Sequence, residues 1–152
     1  MVKVLADFKV LLADGNRHMR AMTKDALRAL DITDVAIAFD VKSAMDTLRF
    51  NRFDLLITSQ HGESVDGLEL ARQVRASDKD HVRNVPTIMM VASKNDDVRE
   101  AARQAGATEI LVKPFSAKAL YASIAAIAPH ADIVNAYAMA EWSGGPRPRS
   151  RL

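Results

Sequence analysis

The segment DLLITSQHGESVDGLEL, residues 54–70, contains the change of pattern that decides the fold. It begins within FDLLIT (53–58), an almost unbroken apolar run that is typical of a strand buried on both faces. Over residues 66–77 apolar side chains recur instead at helical spacing, which predicts an amphipathic helix. A buried strand followed directly by such a helix is typical of an α/β protein with a parallel sheet.

The same strand-then-helix unit recurs along the chain. Asn95 and Ser116 can cap two of the helices, and Gly106 suits a helix end. Such alternation favours a flavodoxin-like (βα)5 fold, a doubly wound parallel sheet of strand order 2-1-3-4-5. Its ligand crevice lies at the carboxyl ends of strands 1 and 3, which here means residues 14–16 and 58–62. The predicted strands are 8–14, 34–39, 53–58, 85–92 and 109–112, and the helices are 16–30, 41–50, 66–77, 95–107 and 116–128.

The composition restricts the class of protein. The 152 residues suit one domain, and 49% hydrophobic with 26% charged residues is typical of a globular chain. The sequence contains no cysteine, which excludes disulfides and thiolate metal sites and suits a reducing cytosol. No signal peptide or membrane span is expected, so the predicted location is cytoplasmic. A net charge of +2 gives no argument for a nucleic-acid partner.

The pattern weakens after residue 128. We therefore expect a domain over 1–128 and a C-terminal extension over 129–152. Within the extension, a partial apolar face predicts a short helix over 131–142, and the Gly/Pro/Arg-rich remainder is predicted to be disordered. Guanidinium groups suit phosphate, so an anion such as a cyclic dinucleotide or nucleic acid is the alternative ligand of this tail. Its arginines are Arg147, Arg149 and Arg151.

Four segments resemble the receiver domains of bacterial two-component response regulators. They are VLLADGNRHMR (10–20), FDLLITSQHGESVDGLELARQVR (53–75), VPTIMMVAS (85–93) and AGATEILVKPFSAKAL (105–120). The resemblance covers about residues 8–128. It implies phosphoryl transfer from a kinase phosphohistidine to an aspartate at the end of strand 3. It also implies two acids that hold Mg²⁺, with a hydroxyl and a lysine that bind the phosphate.

This sequence departs from the pattern that the resemblance implies. Serine cannot form an acyl phosphate, and a single carboxylate is a poor Mg²⁺ site. We therefore expect a degenerate pseudo-receiver that is not an enzyme, needs no cofactor and binds Mg²⁺ weakly or not at all. Asp14 and Lys113 match the first acid and the lysine, whereas the second acid, the phosphoacceptor, the hydroxyl and the aromatic switch residue are replaced by Gly15, Ser59, Val91 and Ile110.

Several residues have an ordinary structural interpretation. Lys113 is expected to pair with Asp14, because an unpaired buried charge is costly. His61 and Glu63 are expected in a solvated loop, since no second metal ligand accompanies His61. His18 is expected on the solvent side of the first helix. The methionines expected in the core are Met19, Met22, Met45, Met89 and Met90.

The resemblance also implies two interaction surfaces. The leading interpretation is an adaptor or decoy that binds a sensor histidine kinase, a phosphotransfer protein or another response regulator, with homodimerisation as an alternative. Residual chemistry at Ser59 is disfavoured, because the sequence indicates no base beside it. The kinase-type surface comprises Asn16, Arg17, His18, Arg20, Pro114 and Phe115. The surface of the last two helices and strand 5 comprises Asp97, Arg99, Glu100, Arg103, Lys118 and Tyr121.

Overall fold

One parallel sheet forms the centre of the molecule. The computed structural model describes residues 5–62 and 64–127. Its strands lie in the order β2-β1-β3-β4-β5, which confirms the predicted flavodoxin-like fold. The predicted helix over 131–142 and the arginine tail lie outside the described residues. The strands are β1 (Lys9–Ala13), β2 (Asp34–Ala38), β3 (Leu55–Ser59), β4 (Thr87–Val91) and β5 (Glu109–Val112).

Helices cover both faces of this sheet. Two elements were not predicted, a one-turn 3-10 helix (Leu5–Asp7) and the short α4, because a single turn is too short to show helical periodicity. In the part of the chain that the structure describes, no helix is long and apolar enough to cross a membrane. The α-helices are α1 (Arg17–Ala29), α2 (Val41–Phe50), α3 (Gly67–Arg75), α4 (Asp80–Arg83), α5 (Asp96–Ala105) and α6 (Ala117–Ile127).

The helix ends follow local sequence signals. The Asn95 side chain accepts a hydrogen bond from the Asp97 N–H at 2.8 Å, and the Ser116 hydroxyl accepts one from the Ala119 N–H at 3.0 Å. Gly106 ends α5 with φ of 110°, a left-handed conformation that glycine adopts without strain. The three capping predictions are confirmed.

The two faces of the sheet have separate cores. Helices α1 and α6 pack on one face, whereas α2, α3 and α5 pack on the other. Met45, Met89 and Met90 are buried as predicted. Met22 is 41% exposed, so the core prediction for it is wrong; its side chain lines an open groove beside Phe115 instead of packing into the core.

Strand register brings the predicted site residues to one edge. Ala13 is aligned with Thr58 across β1 and β3, and Val91 is aligned with Val112 across β4 and β5. The residues that follow or end these strands therefore meet at the carboxyl edge of the sheet. Gly67 fixes the start of α3 there, because a Cβ on it would lie 2.0 Å from the Ser59 carbonyl oxygen.

At the amino edge of the sheet, Arg75 of α3 forms hydrogen bonds with the end of α4, the loop before β4 and the turn after α5. Its guanidinium donates to the carbonyls of Arg83 and Val85, both at 2.8 Å, and to that of Gly106 at 3.0 Å. Loss of solvent around this half-buried group lowers the pKa of Arg75 below its usual value. The planar guanidinium has several N–H donors and can bond these three carbonyls at once, whereas a lysine ammonium could not reach all of them together.

We predict that Arg75→Lys lowers the free energy of unfolding by about 2–3 kcal/mol, because hydrogen bonds to a charged group are lost and carbonyls are left without donors. Urea unfolding followed by circular dichroism measures the change. The matched control is Arg28→Lys, since Arg28 pairs with Asp25 at 3.1 Å on the surface. The control should change stability by at most about 0.5 kcal/mol. Equal effects of the two substitutions would contradict the role given to Arg75.

Candidate functional site

Ser59 and Lys113 meet at the centre of the carboxyl edge. Ser59 is the last residue of β3 and is only 1% exposed. The Lys113 ammonium donates to its hydroxyl oxygen, with 2.8 Å between Nζ and Oγ. A buried hydroxyl is thereby supplied with a charged donor from the loop after β5.

Asp14 lies at the same edge, directly after β1, and is fully buried. Its Oδ1 accepts a hydrogen bond from the Asn16 N–H at 2.9 Å, whereas its Oδ2 has no hydrogen-bond partner among the described residues. The predicted pairing of Lys113 with Asp14 is wrong, since the ammonium donates to Ser59 instead. The strand order explains this choice. Lys113 follows β5, Ser59 ends β3, and Asp14 follows β1, which lies one strand farther from β5 than β3 does, at a strand spacing of about 4.8 Å.

The loop between β3 and α3 fills the space beside Gly15. A Cβ built on Gly15 would lie 2.0 Å from the Ser64 hydroxyl oxygen and 2.9 Å from the Ser64 backbone nitrogen. Ser64 is held there by a hydrogen bond from its hydroxyl to the Phe39 carbonyl, at the end of β2. No side chain larger than hydrogen therefore fits at position 15 unless this loop moves.

Arg20, on α1, also contacts the backbone at positions 14 and 15. Its Nη1 donates to the carbonyl oxygens of Asp14 at 3.1 Å and Gly15 at 3.0 Å. Its guanidinium also lies over the Phe39 ring, 4.8 Å from the ring centre, which is a cation–π contact. The resemblance places Arg20 on the interaction surface, where its guanidinium is already engaged by these contacts within the chain.

The positions on β4 and β5 are apolar. Val91 is 1% exposed, and its carbonyl accepts a hydrogen bond from the Lys113 N–H at 2.8 Å. Ile110 packs partly buried against the core beneath α5. Neither side chain can donate or accept a hydrogen bond.

An apolar groove lies beside the site, between α1 and the loop after β5. Its volume is about 310 Å³. Arg17 and His18 are exposed at the nearby start of α1, as predicted for His18, whereas the Asn16 side chain caps the helix by accepting from the Met19 N–H at 2.9 Å. The groove is lined by Met19, Met22, Ala92, Lys113, Pro114 and Phe115.

The second predicted surface is charged and shallow. A pocket of about 550 Å³ lies over α5 and β5. Tyr121 is only 6% exposed because it packs into the core between α6 and the sheet, so its assignment to this surface is wrong. Lys118 on α6 is exposed. The pocket is lined by Asp96, Asp97, Arg99, Glu100, Arg103 and Ile110.

Three contributors to the site were missed by sequence reasoning. Phe39 and Ser64 lie on loops that approach the site only in the folded chain, and no spacing pattern indicates them. The Arg20 contact was also missed, because backbone carbonyls as acceptors leave no mark in the sequence. Glycine at position 15 is a signal that another group approaches the backbone closely, and that group is Ser64. His61 is exposed as expected, and Glu63 lies outside the described residues.

Comparisons with known protein families and sequences relate this chain to response regulator receiver domains. The family model described as the response regulator receiver domain matches residues 10–125. A chemotaxis protein CheY from Pseudomonas aeruginosa is 37% identical over 113 residues, which cover 74% of this chain and 89% of that protein. Chemotaxis protein CheY-3 from Vibrio cholerae is 31% identical over 115 residues, which cover 75% and 86% of the two chains.

Solved structures give the same assignment. The chain matches the chemotaxis response regulator CheY4 of Vibrio cholerae with a TM-score of 0.69 and 25% identity, over 79% of this chain and 98% of the other. It also matches the receiver domain of a Pseudomonas aeruginosa sensor histidine kinase that holds a magnesium ion in its active-site cleft, with a TM-score of 0.71 and 25% identity over 80% and 98%. The chain belongs to the response regulator receiver domain family.

Proposed function

We propose that this receiver domain works without aspartyl phosphorylation, as an adaptor or decoy that binds proteins of two-component signalling. The observation that carries the proposal is the Ser59 hydroxyl at the place of the phosphoacceptor, where it accepts the Lys113 hydrogen bond. An alcohol becomes a phosphoryl acceptor only when a base removes its proton. An ammonium that donates to the same oxygen has no lone pair with which to do so.

The surroundings of Asp14 support weak or absent Mg²⁺ binding. Mg²⁺ prefers octahedral oxygen ligands, commonly one or two carboxylates together with phosphate oxygens. Asp14 Oδ2 is a free oxygen for such an ion, but Ser64 fills the space that a second acidic side chain at position 15 needs. Within residues 5–62 and 64–127, no three His, Asp or Glu side chains lie close enough to share a metal ion. These residues do not fit the magnesium site of a phosphorylated receiver.

The groove supports the adaptor role. Arg17 and His18 are exposed and directly precede Met19, which lines the apolar groove. Apolar centres with charged rims are typical of protein interfaces. A phosphotransfer protein, a sensor kinase or another response regulator is the class of partner that we propose for this face. The partner would bind this groove in the unphosphorylated protein, because no phosphorylation changes the groove in our proposal.

Incubation of the protein with acetyl phosphate and Mg²⁺ should leave its mass unchanged, because Ser59 lacks both a base and a metal-held phosphate. Intact mass spectrometry under neutral and acidic conditions measures the product. A CheY-type receiver treated in parallel is the positive control. A stable adduct that maps to Ser59 and disappears in Ser59→Ala would contradict the proposal.

Gly15→Ala should lower the free energy of unfolding by about 1–3 kcal/mol, because the new Cβ collides with Ser64 and overpacking has costs of this size. Urea unfolding measures the loss. The double variant Gly15→Ala, Ser64→Gly should recover part of it, since two of the three close atoms are removed and the Ser64 nitrogen at 2.9 Å remains. Ser64→Gly alone is the control. Full stability in Gly15→Ala would show that the loop is not packed against position 15.

Arg17→Glu should weaken binding of a histidine-containing partner about tenfold, because it reverses a rim charge beside the groove. Isothermal titration against the phosphotransfer domains of the source organism measures the affinity. The matched control is Arg28→Glu, an equally basic and exposed position near the far end of α1. If no such domain binds, or if both variants lose the same affinity, the docking proposal fails.

A further inference from the structure

Phe50 is the most exposed large apolar side chain among the described residues. It ends α2 at the amino edge of the sheet and is 83% exposed, whereas Phe39 and Met22 are 55% and 41% exposed. The other two have neighbours that account for their positions, since the Arg20 guanidinium covers one face of the Phe39 ring and Met22 lines the groove. The Phe50 ring is turned to solvent, so its apolar surface is available to another molecule.

An open pocket lies beside Phe50, between the ends of α2 and α3. Its volume is about 360 Å³. Arg49, the residue before Phe50, lines it, and Met45, which is only 4% exposed, lies at its floor. A cavity of about 150 Å³ is enough to hold a benzene ring, so this pocket has room for one phenyl side chain. The other lining residues are Gln73, Ala76, Ser77 and Asp78.

Opposite charges accompany the ring and the pocket. Arg52 follows Phe50 by two residues, and Asp78 lines the pocket. Both side chains are exposed, and neither forms an ion pair within residues 5–62 and 64–127. Arg49, in contrast, is already paired with Asp46 at 3.1 Å. An unpaired cation thus lies near the ring, and an unpaired anion lines the pocket.

We propose that this surface binds a second copy of the chain through a two-fold interface, in which Phe50 of each copy enters the pocket of the other. A two-fold contact requires a surface that is complementary to itself. The ring and the pocket adjoin each other on one surface, so a single rotation places both rings in both pockets. The same rotation brings Arg52 of each copy towards Asp78 of the other, where opposite charges favour the contact.

The chemistry of the pocket suits an aromatic ring. The thioether of Met45 is polarisable and makes favourable contacts with aromatic rings. The hydrocarbon part of Arg49 and the methyl group of Ala76 add apolar surface around it. Large side chains that fill a pocket are the usual anchors of protein interfaces. Because the surface is small, we expect a monomer–dimer equilibrium in the micromolar range and not a permanent dimer.

The dimer extends what an adaptor can do. The interface lies at the amino edge, so the carboxyl edges of both copies, with their grooves, remain uncovered. If the proposed function holds, one dimer binds two partner molecules and brings them together. Dimerisation needs no partner and is measured without one. A protein that dimerises but binds no phosphotransfer domain would therefore support this inference and contradict the proposed function.

Sedimentation equilibrium over a range of protein concentrations measures the dissociation constant of the dimer. The native protein should change from monomer to dimer as its concentration rises. Phe50→Glu should raise the dissociation constant at least about thirtyfold, as expected for the loss of an aromatic anchor. The matched control is Ala126→Glu, which adds the same acid at an exposed position of α6 on the other face of the sheet and should leave the constant unchanged.

Charge reversal tests how the two copies are aligned. Arg52→Glu and Asp78→Arg should each raise the dissociation constant about tenfold, because each places like charges together twice in the dimer. The double variant should recover most of the affinity, since it restores the pair with the charges exchanged. Circular dichroism should show all variants folded. A protein that stays monomeric up to about 1 mM, a dimer that survives Phe50→Glu, or reversals that do not compensate each other would overturn the proposal.

Discussion

The complete burial of β3 constrains everything around the site. Each residue of this strand is buried, including Ser59 at its end, so its hydroxyl must obtain a hydrogen bond from the protein itself. Lys113 supplies that bond from the loop after β5. The bond links the ends of β3 and β5, the two strands beside β4. The Lys113 ammonium therefore donates to Ser59, whereas in a phosphorylated receiver it would bind the phosphate.

The other substitutions at this edge are mutually consistent in physical terms. Glycine at position 15 allows the loop that contains Ser64 to approach the backbone. Arg20 donates hydrogen bonds to the Asp14 and Gly15 carbonyls beside it. Val91 offers no hydroxyl to a phosphate. We propose on these grounds that the pocket has become a packed part of the fold, while the adjoining groove has kept the capacity to bind.

The sequence predicted the sheet order and most element boundaries, because buried strands and amphipathic helices have distinct periodicities. It also placed Asp14, Ser59, Val91 and Lys113 at one edge, since carboxyl ends of parallel strands converge. It could not predict that Lys113 donates to Ser59 rather than pairing with Asp14, because that depends on how far one side chain reaches across the sheet. The contact of Ser64 with Gly15 was equally hidden, as the two residues are brought together only by a loop of irregular structure.

Titration of Mg²⁺ into the native protein shows whether the pocket at the carboxyl edge still holds a metal, because it requires neither a phosphodonor nor a partner. Isothermal calorimetry, repeated with Asp14→Asn, separates binding at this edge from weak association with surface acids. We expect no saturable heat at millimolar Mg²⁺ and no difference between the two proteins. A single saturable site that is lost in Asp14→Asn would contradict this expectation, since Ser64 and Gly15 would then leave room for a metal after all.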